Sequence, residues 1–276
     1  MLLIENSNEG EVLIPIKLKI IEYLKQKKQE GVITVASVYL KTFNYTSNHI
    51  EINPDELYDP ASLMKIPMLI LYLSRAENNP YLLDKKIYFS KRIESLYEAT
   101  IKNKTITEGK SYSIKDLLFY MIVYSDNEAF WLLAKNVNNN DFIQLCQDFD
   151  IPLKGDSLVR EDNQMNFIAT VNSVSRFFRV LYNATYLGRN FSCYALNLLV
   201  QSDYKDGILK GVDPKIKVAH KFGERQDGGV SQLHEFGIVY LKDRNYLLGV
   251  MTKGKDIKQL AEVISNISKI TFEGIK

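Results

Sequence analysis

Apolar residues recur along the chain with two different periods, and their order sketches an architecture. Pro15 to Gln29 sets Ile16, Leu18, Ile20, Ile21 and Leu24 at helical spacing. "GVITVASVYLKTFNY" then alternates β-branched and aromatic positions, and "NHIEIN" follows, which predicts a hairpin. From Ser62 to Glu77 the chain is apolar and lacks Gly; its one Pro, Pro67, falls early enough for a first or second helical turn. That predicts a largely buried helix. "SIKDLLFYMIVYS", with Ser113 as N-cap, "NEAFWLLAKNV" and "DFIQLCQDFDI" continue the helical period. Residues 152–168 are polar and irregular, a candidate functional loop. Helices resume at "SVSRFFRVLYNATYL" and "SCYALNLLVQS". The chain then returns to strands at "KVAHKFG", "HEFGIVYL" and "YLLGVMT", the last two joined by "KDRN", before "DIKQLAEVISNISKI" closes as a helix.

This order predicts an α+β fold, with an antiparallel sheet drawn from both chain ends, helices flanking it, and an all-helical insertion. Residues 1–276 would form one domain, divided into an α/β part (1–61 plus 204–276) and a helical part (62–203).

Composition narrows the partners. With 35 Lys and Arg against 33 Asp and Glu, the net charge of +2 creates no field for nucleic acid or an anionic membrane. The densest basic stretch, "YLKQKKQEG", reads as a solvated helix face. No segment reaches the roughly 18 apolar residues a membrane span needs, and "MLLIENSNEGEVLI" lacks the basic start of a signal peptide. Cys146 and Cys193, with His49, His220 and His234, match no metal spacing, so neither metal nor cofactor is expected. The two cysteines could bridge or sit as small buried apolar residues.

Candidate chemistry lies in three short motifs. Ser62-Leu63-Met64-Lys65 puts a hydroxyl and an amine on one helical face, and a desolvated amine beside a hydroxyl is a base beside a nucleophile. Ser202-Asp203-Tyr204-Lys205 repeats that spacing elsewhere. Ser125-Asp126-Asn127 lies between two helical patterns, where it would also serve as a helix cap. Lys221-Phe222-Gly223 lies on a late strand, and Lys205-Asp206-Gly207 is its loop-borne copy.

Taken together and in this order, Ser62-x-x-Lys65, Ser125-Asp126-Asn127 and Lys221-x-Gly223 resemble the signature of class A β-lactamases and penicillin-binding proteins. The spacings from Ser62 to Ser125 and to Lys221, 63 and 159 residues, are similar to the family's, and "HEFGIVY" resembles the strand that follows its Lys-x-Gly. The resemblance covers nearly the whole chain. It implies a β-lactamase/transpeptidase-like fold and a monomeric serine hydrolase that opens a β-lactam amide or a cell-wall peptide without a cofactor. It assigns Ser62 as nucleophile, Lys65 as proton acceptor, Ser125 as proton relay to the leaving nitrogen, and Asn127 as the residue orienting the substrate amide and Lys65. Lys221 would add positive potential, Gly223 would allow close approach, and the backbone N–H groups of Ser62 and Glu224 would form the oxyanion pocket.

Two departures stand out. Phe222 occupies the place where the family has a Thr or Ser that binds the substrate carboxylate; His234 or Arg225 would supply a cation instead, or be ordinary hairpin residues. The family's β-lactamases deacylate with a Glu in Glu-x-x-Leu-Asn. Here Asp162-Asn163-Gln164-Met165-Asn166 matches with two replacements, Glu161 is the neighbouring candidate, and a solvated loop is the competing reading. Tyr97 would be an aromatic wall of the cleft or a core Tyr. The alternatives are a penicillin-binding D,D-peptidase-like enzyme that deacylates slowly, or a weakly active binding protein on the same fold. Relatives by this resemblance work outside the cytoplasm, whereas this chain shows no export signal, so its compartment stays open.

Overall fold

A computed structural model describes residues 5–43, 49–92, 101, 104–154 and 166–276, with residues 5–12 as backbone only. The chain opens with helix α1 (Glu5–Gln29), then strands β1 (Ile33–Thr42) and β2 (His49–Ile52). A 3₁₀ turn, Ala61–Met64, leads into α2 (Lys65–Asn78). Next come β3 (Lys86–Phe89), β4 (Lys110–Ser113), α3 (Ile114–Val123), α4 (Asn127–Ala134), α5 (Asn139–Asp148), α6 (Val171–Asn183) and α7 (Arg189–Val200). Strands β5 (Val218–Asp227), β6 (Val230–Val239) and β7 (Tyr246–Gly254) precede α8 (Ile257–Ile275).

The main sheet has the order β2-β1-β7-β6-β5 and is antiparallel throughout. The first and last quarters of the chain therefore do build one sheet, joined where Val38 pairs with Val250. Side chains alternate between its faces as the pleat requires. Leu248 and Val250 turn toward the α1 and α8 side with Ile16, Ile20 and Ile264, whereas Leu247, Met251 and Phe236 pack with the inserted helices. Both faces are covered, which is why these strands read as nearly continuous apolar runs.

Helix α2 is the centre of the inserted layer. Every residue from Lys65 to Leu73 is buried, as expected for a helix that is apolar all round. Pro67 falls in its first turn, where a missing N–H costs nothing. Ser113 caps α3 as expected, in a reciprocal capping box with Asp116. One expectation needs correction: the insertion is not all-helical, because β3 and β4 pair as a separate two-stranded sheet. Four-residue strands rich in Lys, Ser and Tyr carry too little apolar alternation to read as strands. Cys146 is buried and Cys193 exposed, both as free thiols.

Candidate active site

Three elements bring the motifs together. The 3₁₀ turn at Ala61–Met64 is the first. Residues three apart eclipse one another in such a turn, and Lys65 Nζ lies 2.6 Å from Ser62 Oγ. The second element is the turn between α3 and α4. Ser125 is held there with φ +54°, a left-handed conformation that costs a non-Gly residue on the order of 1–2 kcal/mol. Asp126 caps α4 by accepting from the Glu128 N–H, and it also takes the Thr105 hydroxyl and the Ile106 N–H. The helix-cap reading of this tripeptide is thus correct for its middle residue. Ser125 and Asn127, on either side, turn to the two lysines: Asn127 Oδ1 accepts from Lys65 Nζ at 2.7 Å, and Lys221 Nζ donates to Ser125 Oγ at 2.7 Å.

Strand β5 is the third element and forms an edge of the sheet. Gly223 lies directly on the turn that carries Ser62. A Cβ there would meet the Pro60 carbonyl oxygen at 2.9 Å and the Ser62 and Leu63 nitrogens at 3.1 Å, so only Gly permits this approach.

Burial sets the charge states. Lys65 is 3% exposed, and desolvation pulls its pKa down to about 7, against the opposing pull of Asp126 and Glu224. Lys221 is fully buried, and its pKa falls well below the Lys range, first through desolvation and then through the charge of Lys65. Asp126 is pushed up by burial despite its three donors. The two amines share one dry site, so they favour a state with at least one of them neutral.

Other expected site residues are placed differently. Phe222 does not line the substrate side: it is buried among the sheet's α1/α8-side residues and stacks on Tyr204 at 4.3 Å. Its ring still lies 4.5 Å from Lys221 Nζ and its carbonyl accepts from that amine, so it insulates the lysine. His234 supplies no cation. It is fully buried, lowered to about pKa 3 mainly by desolvation, and bonded to the Asp59 carbonyl and the Thr252 N–H. Arg225 is buried against the Asp59 carboxylate at 2.8 Å. The Glu224 carboxylate is also buried and accepts the Ile101 N–H at 2.8 Å. Tyr97, Glu161 and Asp162 lie outside the described residues. The stretch that holds Glu161 and Asp162 leaves from Lys154 and returns at Asn166, which bond to each other. Among the described residues, no group of three or more His, Cys, Asp or Glu could hold a metal.

Sequence reasoning missed Asp59 and the double role of Asp126. Asp59 was visible only as an Asp-Pro pair before a helix, a common turn opening.

The β-lactamase enzyme family model matches residues 17–275. The chain belongs to that family. β-Lactamase VEB-1 of Pseudomonas aeruginosa is 24% identical over 266 residues, covering 89% of this chain and 88% of its own length. A β-lactamase from Chitinophaga pinensis superposes with a TM-score of 0.80 at 15% identity, covering 95% of this chain and all of its own. A point mutant of PBP-A, solved as an acyl-enzyme complex with penicillin G, gives 0.77 at 15% identity, covering 95% of this chain and 96% of its own. The fold is the β-lactamase/transpeptidase-like one, and the chain is a serine hydrolase of class A β-lactamase type. Among the described residues no helix is long and apolar enough to cross a membrane.

Proposed function

We propose that this family member opens the β-lactam amide through an acyl-enzyme on Ser62. The observation that carries the reading is the placement of Lys65 Nζ within hydrogen-bond reach of both Ser62 Oγ and Asn127 Oδ1, in a dry setting. A lysine near pKa 7 is neutral in a large fraction at physiological pH, so it can accept the Ser62 proton as Oγ attacks the carbonyl. The oxyanion would be held by the backbone N–H groups of Ser62 and Glu224, each donor worth about 3 kcal/mol in the transition state. Lys221 lies on Ser125 Oγ, so Ser125 is the relay that returns a proton to the departing lactam nitrogen, and Lys221 keeps that hydroxyl oriented. Water then releases the acyl group with Asp162 or Glu161 as base. The enzyme acts as a monomer on a small-molecule substrate.

A second reading is a penicillin-binding peptidase-like enzyme that acylates and deacylates slowly. It is favoured by Phe222, which gives the Lys-x-Gly strand no hydroxyl for a substrate carboxylate and directs its ring into the core.

Intact-protein mass spectrometry after adding a penicillin separates the two. An adduct that forms and clears while hydrolysed drug accumulates supports hydrolysis. A persistent adduct supports the second reading. Neither an adduct nor hydrolysed drug with the wild type, or an adduct in Ser62→Ala, overturns both.

A further inference from the structure

The nucleophile's turn is gripped from the sheet at one residue that no motif contains. Asp59 lies three positions before Ser62. Its Oδ1 accepts the Ala61 N–H at 2.9 Å, and Ala61 is in the left-handed region with φ +48°, a conformation that persists only when its surroundings hold it. Its Oδ2 meets Arg225 Nη1 at 2.8 Å, where the Arg225 side chain is 4% exposed. Its backbone carbonyl accepts from His234 Nε2 at 3.0 Å.

Those partners come from adjacent strands at the level of the site. Arg225 is two residues past Gly223 on β5, and His234 on β6 pairs directly with Gly223. His234 in turn accepts the Thr252 N–H of β7 at 3.2 Å, which fixes the tautomer with its proton on Nε2. Tyr58, the neighbour of Asp59, packs edge-on against the His234 ring at 5.1 Å. The strand carrying Gly223 is thereby pressed onto the backbone of Pro60 and Ser62.

We infer that Asp59 is a positioning residue: held by Arg225 and His234, it fixes the Ser62 N–H relative to the strand carrying Gly223 and Glu224. Resting on Ser62 as nucleophile and on that oxyanion pocket, this adds a second set of residues to the mechanism, none of which touches substrate. An oxyanion pocket made from two separate chain segments works only if their spacing is set before the charge develops, and small displacements cost rate steeply. The clamp therefore acts on the transition state more than on substrate binding.

The test measures Ser62 acylation by a penicillin and, separately, Ser62 phosphonylation by a fluorophosphonate probe. Wild type is compared with Asp59→Asn and Arg225→Lys, with circular dichroism and Tm as folding controls. Asp59→Asn keeps an oxygen for Ala61 but replaces the carboxylate oxygen that faces Arg225 with an uncharged NH2 group. The saturating acylation rate is expected to fall about ten- to hundredfold, with the half-saturating concentration within about twofold. Arg225→Lys retains the charge, loses the planar fork, and gives an intermediate loss. If Asp59→Asn does not fold, Arg225→Lys alone carries the comparison. Folded variants that acylate at the wild-type rate overturn the clamp and leave the lactam reading intact. A wild type inert to penicillin but phosphonylated on Ser62, with slower variants, keeps the clamp and overturns the lactam reading. A wild type inert to both reagents overturns both.

Discussion

Ser62-Leu63-Met64-Lys65 and Ser202-Asp203-Tyr204-Lys205 share one spacing in two settings. In the first, the lysine is almost wholly buried, and its amine lies on the serine hydroxyl and on Asn127. In the second, Lys205 is exposed and its amine bonds the Ser202 backbone carbonyl at 2.9 Å, not the hydroxyl. The same contrast separates Lys221-Phe222-Gly223, with a fully buried lysine on a strand, from Lys205-Asp206-Gly207, which lies in a loop with its lysine in solvent. Spacing brings a hydroxyl and an amine near each other, whereas desolvation makes the amine a base. The second site has the first ingredient and lacks the second.

The largest expected effect breaks the symmetry outright. Ser62→Ala should lower penicillin acylation by at least about a thousandfold, while Ser202→Ala should leave it within twofold, both read by adduct mass. Next comes Lys65→Met, which should cost about a hundred- to ten-thousandfold in acylation against no loss for Lys205→Ala. With Lys65 near pKa 7, wild-type acylation should climb about tenfold per pH unit below 7 and level off above it. Stability also rises with pH, over a higher window. Burial holds Lys65 below its free value of 10.5, so the unfolded chain binds more protons between about pH 7 and that value. Stability lost near neutral pH is regained as pH rises through that window. Lys65→Met should therefore stabilise the fold near pH 7, seen as a higher Tm, with the gain shrinking as pH rises toward 10.5. The smallest contrast compares the middle residues of the two Lys-x-Gly segments. Phe222→Thr should cost about 3 kcal/mol by emptying the stack on Tyr204, whereas Asp206→Ala should change stability by less than about 0.5 kcal/mol.

Long apolar patterns made most of the fold legible from the chain. Helices α2, α6 and α8 and strands β5 to β7 each carry enough apolar residues for their period to show. β3 and β4 were missed because each is four residues long and little buried. The candidate site residues Ser62, Lys65, Ser125, Asn127 and Lys221 were legible because they sit in recognisable tripeptides and tetrapeptides, and the structure brings them into two hydrogen-bonded sets, Lys65 with Ser62 and Asn127, and Lys221 with Ser125. The supporting residues were not. His234 and Arg225 read as spare cations, since nothing local reveals that a residue some 170 positions away will accept from them. Phe222 read as facing substrate because which side of an edge strand a residue occupies depends on register, and register is a property of the pair.

The sheet's order also bears on when the candidate site can be assembled. β1, near the start, pairs with β7, some 200 residues later, and the β5 strand bearing Lys221 reaches β1 only through β6 and β7. Such distant pairings are slow to close, whereas the helical middle can gather around α2 from nearby contacts. During synthesis Ser62, Lys65, Ser125 and Asn127 emerge long before the strand that completes their site. Lys221 lies on the far edge of that sheet, so the two lysines can share one dry site only once the sheet has closed.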